Sequence, residues 1–172
     1  MSKTIVIYYS RTGENYVNGS IRKLEKGNTE VCAEFIRDAV GTDLFKVDTV
    51  TPYSDDYMTC IEEAKVELKK AARPELKEYL DNVDAYDTIV VAAPCWWGDA
   101  PMAIYSQLDR LDLTGKTIAP LMTHEGSGLG SFEKSLSKKY PDAKIVKGLA
   151  VHGADAAKSE DTVSSWIKKI AK

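Results

Sequence analysis

Apolar runs alternate with amphipathic stretches along the whole chain. Ile5-Val6-Ile7-Tyr8-Tyr9 is β-branched and aromatic and stops at Ser10-Arg11-Thr12-Gly13, so it reads as a buried strand feeding a polar loop. Further strands are expected over residues 44–50, 86–93, 117–122 and 144–151. The third of the five carries Ile89-Val90-Val91-Ala92-Ala93. Unbroken rather than alternating hydrophobicity marks a strand covered on both faces of a parallel sheet. Pro120 is awkward in the fourth strand, because proline cannot donate to the ladder.

Between these runs the apolar positions recur at helical spacing. Cys32, Phe35, Ile36 and Ala39 fall at i, i+3, i+4 and i+7 in a helix capped by Asn28 or Thr29 and closed by Gly41. Cys32 on that stripe reads as a small core residue. A second helix is expected from Asp55 or Asp56 to about residue 72, its acidic start and lysine-rich end matching the helix dipole. Asp99 reads as the cap of a third, with Pro101 in its first turn and Ile104, Leu108 and Leu111 inward. A fourth stops at Pro141, and Ser159 opens a fifth with Val163, Trp166, Ile167 and Ile170 inward. Residues 14–27 break the rhythm. They are polar, contain Gly19 and Gly27, and form an unusually long connection of the kind that carries function.

Strand and helix alternate five times, which predicts one domain over residues 1–172. Its class is α/β: a three-layer, doubly wound, five-stranded parallel sheet. Composition agrees, since 44% hydrophobic and 28% charged residues suit a globular chain with a single core. A net charge of −3 with no basic block interleaved with aromatics argues against nucleic acid. Cys32, Cys60 and Cys95 are widely spaced, without a Cys-x-x-Cys pair, which fits a reducing compartment without disulfides or a thiolate zinc site. No leader-like segment and no apolar run near the ~20 residues of a bilayer span are present, so a soluble cytoplasmic protein is expected.

Ligands bind such sheets outside the carboxyl ends of the strands. Three unusual loops meet at that edge. Ser10 to Gly13 offers anion donors, although alone it leaves open a polar turn that binds nothing. Pro94-Cys95-Trp96-Trp97-Gly98 offers two tryptophans that a loop would not normally show to water. Thr123-His124-Glu125-Gly126-Ser127-Gly128 offers glycines that let backbone amides approach a ligand. Together they suit a phosphorylated planar cofactor.

These motifs, with Tyr8-Tyr9 before the first and Gly27-Asn28-Thr29 after it, run in order across essentially the full chain and closely resemble the flavodoxins. The resemblance implies strand order 2-1-3-4-5, one non-covalently bound FMN, and a monomeric low-potential carrier that meets redox partner proteins rather than nucleic acid or membrane. It implies that Ser10, Arg11, Thr12 and Gly13 are the first half of a phosphate loop, with Asn28 and Thr29 its displaced second half. Pro94, Cys95, Trp96, Trp97 and Gly98 would lie beside one isoalloxazine face. Thr123, His124, Glu125, Gly126 and Gly128 would approach the pyrimidine edge. No catalytic residue and no metal ligand is implied.

The chain departs from many flavodoxins in its interrupted phosphate loop, its modest acidity and the lack of a stacking tyrosine in the third loop. Stacking is therefore expected from Trp96 or Trp97 on one side only. The missing tyrosine keeps a second reading open, an NAD(P)H-dependent flavin or quinone reductase on the same fold. A receiver domain would need an acidic cluster at the strand ends, where this chain has Ser10, Pro94 and Thr123. A low-molecular-weight phosphatase would need Cys-x5-Arg at the first loop, where Cys32 and Arg37 have the wrong spacing and place.

Overall fold

The computed structural model describes residues 3–172. In chain order the strands are β1 (Thr4–Tyr8), β2 (Gly13–Val17), β3 (Ser20–Leu24), β4 (Asp43–Lys46), β5 (Thr88–Pro94), β6 (Thr117–His124), β7 (Lys144–Ile145) and β8 (Leu149–His152). The helices are α1 (Asn28–Val40), α2 (Tyr57–Lys70), α3 (Met102–Leu108), α4 (Phe132–Lys139) and α5 (Glu160–Ile170), with a 3-10 helix over Gly153–Lys158.

The main sheet is wholly parallel, in the order β4-β1-β5-β6-β7 with β8 also paired to β6. Leaving aside the separate β2–β3 pair, this is the expected order 2-1-3-4-5, with one difference: the fifth strand comes in two pieces. The cause lies in Pro120. Val146 donates its N–H to Ile118 O, so that edge of β6 faces the fifth strand, and two residues on Pro120 has no N–H to offer it. The backbone of Gly148 presses in there instead; a Cβ on it would sit 2.7 Å from Pro120 O and 2.9 Å from Pro120 Cγ.

Strand side chains alternate between two cores. Ile5, Ile7, Ile89 and Val91 pack with Ile104 and Leu108 of α3 and Phe132 and Leu136 of α4. Val6, Tyr8, Val90 and Ala92 pack with Cys32, Ala33 and Ile36 of α1 and Val163 and Ile167 of α5. Residues 89–93 are fully buried, as the unbroken apolar run requires. Among the described residues no helix is long and apolar enough to cross a membrane.

Several local expectations are corrected. Residues 14–24 are a β-hairpin, not a loop. Gly27, rather than Asn28 or Thr29, is the N-cap of α1, and Asn28 is already helical. Asp99 does not cap α3, whose N-cap is Pro101. Its buried carboxylate accepts instead from Ala100 N–H, Tyr105 OH and Ser135 OH, at 2.7, 2.6 and 2.6 Å. Leu111 lies beyond the end of α3. Strand β6 runs on through Thr123 and His124, which the motif had placed in the following loop. Trp166 is only partly buried, and its indole N–H reaches Lys147 O.

Candidate functional site

A cavity of about 280 Å³ opens at the carboxyl edge of the sheet. Its rim comes from the ends of β1, β5 and β6, the start of α1, one face of α2 and the β2–β3 hairpin.

The two segments expected to form a phosphate loop, separated in sequence, touch in space. Gly27 is φ −67°, ψ 154°, extended backbone open to any residue, so glycine is needed for room. A Cβ there would collide with Ser10 Oγ and lie 2.6 Å from Arg11 O. Ser10 Oγ accepts from Glu30 N–H at 3.1 Å and so satisfies one orphan donor of α1 from across the insertion. Gly27 supplies no side-chain cap, and Asn28 and Thr29 at the helix start line the cavity. Thr29 is buried, and its hydroxyl pairs with that of Thr123 at 2.8 Å, tying α1 to the end of β6.

The hairpin closes on Asn18-Gly19, both at positive φ (52° and 86°), the two-residue turn whose twist matches paired strands. Arg11 anchors it: Nε donates to Glu14 O at 2.8 Å and Nη2 to Ser54 O at 2.9 Å. Glu14 in turn accepts from Tyr57 N–H at 2.9 Å, and the Tyr16 ring stacks on Tyr57 at 5.9 Å. At the tip, Asn18 N–H donates to Glu125 Oε2 at 2.9 Å.

The two tryptophans separate. Trp96 packs edge-on against Tyr9 and Tyr53, at 5.2 and 5.0 Å, and belongs to the protein. Trp97 and Gly98 occupy the tip of a tight turn at φ 57° and 84°, closed by Trp96 N–H to Asp99 O at 2.7 Å. A bulky residue in the left-handed region stores strain of about 1–2 kcal/mol. The result is a half-exposed indole whose N–H donates to Ile61 O at 2.7 Å, with Lys65 Nζ 5.2 Å from its ring centre.

On the third loop, His124 Nδ1 accepts from Gly126 N–H at 2.9 Å, which requires an unprotonated Nδ1. Burial and the neighbouring His152 ring, 5.6 Å away, hold its pKa below the ordinary value, partly offset by Glu125. Cys95 Sγ receives the Ser127 hydroxyl at 3.1 Å. Burial pushes the Cys60 thiol on the α2 face up to about 11, so that sulfur is a neutral wall atom.

Of the sixteen residues marked in the sequence, Ser10, Arg11, Asn28, Thr29, Pro94, Cys95, Trp96, Trp97, Thr123, His124 and Glu125 line the cavity. Thr12, Gly13, Gly98, Gly126 and Gly128 shape the loops without lining it. Besides Ser127 of the third loop, lining residues that the sequence reading missed come from three places. Asn15 and Tyr16 come from the hairpin, which Asn18-Gly19 could have signalled. Tyr57, Cys60, Ile61 and Ala64 come from α2, which follows β4 at the same edge, as does Gly153 after β8.

A family model described as Flavodoxin matches residues 22–170. No match was found among curated proteins. A crystal structure of a Bacteroides eggerthii protein assigned provisionally as a flavoprotein is 29% identical, covers 100% of this chain and 99% of its own, and superposes with a TM-score of 0.79. A flavoprotein in complex with FMN from Lactobacillus acidophilus shares the fold at 21% identity, with coverage of 92% and 98% and a TM-score of 0.65. So does an NAD(P)H:quinone oxidoreductase from Methanothermobacter marburgensis, at 11% identity, coverage of 99% and 95%, and a TM-score of 0.54.

Proposed function

The chain belongs to the flavodoxin family, and from that premise we propose that it binds one FMN and shuttles electrons between redox partner proteins. The observation that carries the reading is one cavity lined both by the start of α1, whose N-cap Gly27 has no side chain, and by a half-exposed indole. The first suits a phosphate dianion without any lysine. The second suits a planar ring. The donor set fits the group: Ser10, Asn28 and Thr29 would hold the phosphate, Trp97 the ring, and Thr123 to Ser127 the pyrimidine edge. Bound FMN would supply the electron-accepting ring.

The chain's residues would orient and screen it. Arg11 is spent on carbonyls and braces the loop rather than neutralising phosphate. A cavity of about 280 Å³ is small for a cofactor site, which favours a ring edge left in solvent, where a partner can reach it. Three free cysteines suit the reducing, cytoplasmic setting such a carrier works in. A second reading, an NAD(P)H-dependent flavin or quinone reductase, is favoured by the absence of a tyrosine from the third loop, which would leave a ring face open to a hydride donor.

Adding FMN to the purified apoprotein should yield a yellow complex with quenched flavin fluorescence and micromolar or tighter affinity. A protein that stays colourless overturns the FMN reading. Anaerobic mixing of the complex with NAD(P)H separates the roles: a carrier keeps its colour, and rapid bleaching without a partner makes it a reductase.

A further inference from the structure

Six large hydrophobic residues stand exposed among the described residues, and two of them are aromatic: Tyr16 at 42% and Trp97 at 48%. Both line the same cavity. They arrive from unrelated elements, the hairpin and the turn after β5, yet both rest on α2. Tyr16 stacks on Tyr57 at the first turn of that helix, with ring centres 5.9 Å apart and planes 30° apart. Trp97 hangs from Ile61 O, one turn further along. Each is therefore held in place rather than loose, and each keeps part of its ring uncovered at the cavity.

We propose that Tyr16 is a flavin-contacting residue, supplying from the β2–β3 hairpin the aromatic wall that the third loop lacks. This rests on the FMN reading above. The hairpin is otherwise hard to explain. It packs almost none of its own side chains into either core, with Val17 its one buried residue. Yet it is tied over the cavity at both ends: at the base Arg11 Nε donates to Glu14 O and Tyr57 N–H to Glu14 Oε1, and at the tip Asn18 N–H donates to Glu125. A two-stranded hairpin is marginal by itself, so this bracing fixes one thing above all, the position of Tyr16. The ligand that suits a partly uncovered phenol ring lining the same cavity as a half-exposed indole is a flat aromatic one, because aromatic faces pair in offset or edge-on geometry at ring separations of 4.5–7 Å.

The test titrates apoprotein with FMN and, separately, with riboflavin, using Tyr16→Leu and Tyr16→Phe. Leucine keeps most of the apolar area and removes the ring; phenylalanine keeps the ring. A ring contact predicts that Tyr16→Leu weakens both ligands by the same factor, about tenfold, while Tyr16→Phe stays within about twofold of wild type. Tyr16 is half exposed and outside both cores, so Tyr16→Phe, which keeps the stack on Tyr57, should melt as wild type does, while Tyr16→Leu should melt slightly lower and still fold. Unchanged affinity in Tyr16→Leu overturns the proposal while leaving the FMN reading intact. So does a loss confined to FMN, which would mean that the hairpin acts only through the phosphate loop. Wild-type protein that takes up neither ligand overturns the FMN reading and this proposal with it.

Discussion

Replacing Gly27 by alanine tests whether the two halves of the proposed phosphate loop form one site. The backbone there is φ −67°, ψ 154°, so alanine meets no dihedral penalty and narrows the unfolded ensemble, a gain of about 0.4–1 kcal/mol. Against that, the added Cβ strikes Ser10 Oγ and lies 2.6 Å from Arg11 O and 3.0 Å from Arg11 N. Two of the three atoms are backbone, so the loop itself must move. Overpacking of that kind costs about 1–3 kcal/mol. The net is a loss of up to about 2.6 kcal/mol, which at a urea slope near 2 kcal/mol per molar lowers the unfolding midpoint by up to about 1.3 M. Function should suffer more. Relief pushes Ser10 off Glu30 N–H and splays the anion donors, and losing one hydrogen bond to a charged group costs about 1.5–3 kcal/mol, or roughly 10- to 100-fold in FMN affinity. Ile36→Val, fully buried on the same helix, serves as a control. It should lose about 0.5–1.5 kcal/mol of stability and bind FMN as wild type does. A Gly27→Ala protein that binds FMN with wild-type affinity, whatever its stability, refutes the reasoning.

Three further outcomes are expected. Thr29→Val leaves the buried Thr123 hydroxyl without its 2.8 Å partner, and urea unfolding of the apoprotein should show a loss of about 1–3 kcal/mol. Trp97→Asn suits the left-handed backbone better than tryptophan does; apoprotein stability should move by less than about 1 kcal/mol while FMN affinity falls about tenfold or more, as equilibrium titration will show. The His124 pKa lies below its unfolded value, so the unfolded chain binds the extra proton first; stability is whole above about pH 6.5 and declines as pH falls toward the folded pKa. Asparagine at 124 can present an acceptor to Gly126 N–H without titrating, so melting curves from pH 7.5 to 5.5 should shift less in His124→Asn than in wild type.

What could be read from sequence follows from what burial imposes on it. Residues 89–93 had to be apolar without interruption because both faces of β5 are covered, and the stripe from Cys32 to Ala39 had to keep helical spacing because one side of α1 meets the sheet. The hairpin escaped because it has no buried face to enforce a period: Ser20, Arg22 and Lys23 are free to be polar where the strand meets water. Only its turn is constrained, and Asn18-Gly19 was the visible trace. Pro120 was visible too, but its consequence fell on another strand, where Gly148, between β7 and β8, was the trace left unread. The caps misled for a related reason. Asn28 and Asp99 carry side chains that favour helix starts, yet tertiary contact used them otherwise: Ser10 took over a cap donor of α1, and Asp99 became a buried acceptor for Tyr105 and Ser135. The candidate site is built largely from such exchanges between distant segments. Its loops could be named from sequence because they end strands, whereas its walls on α2 and the hairpin emerged only once the chain had folded.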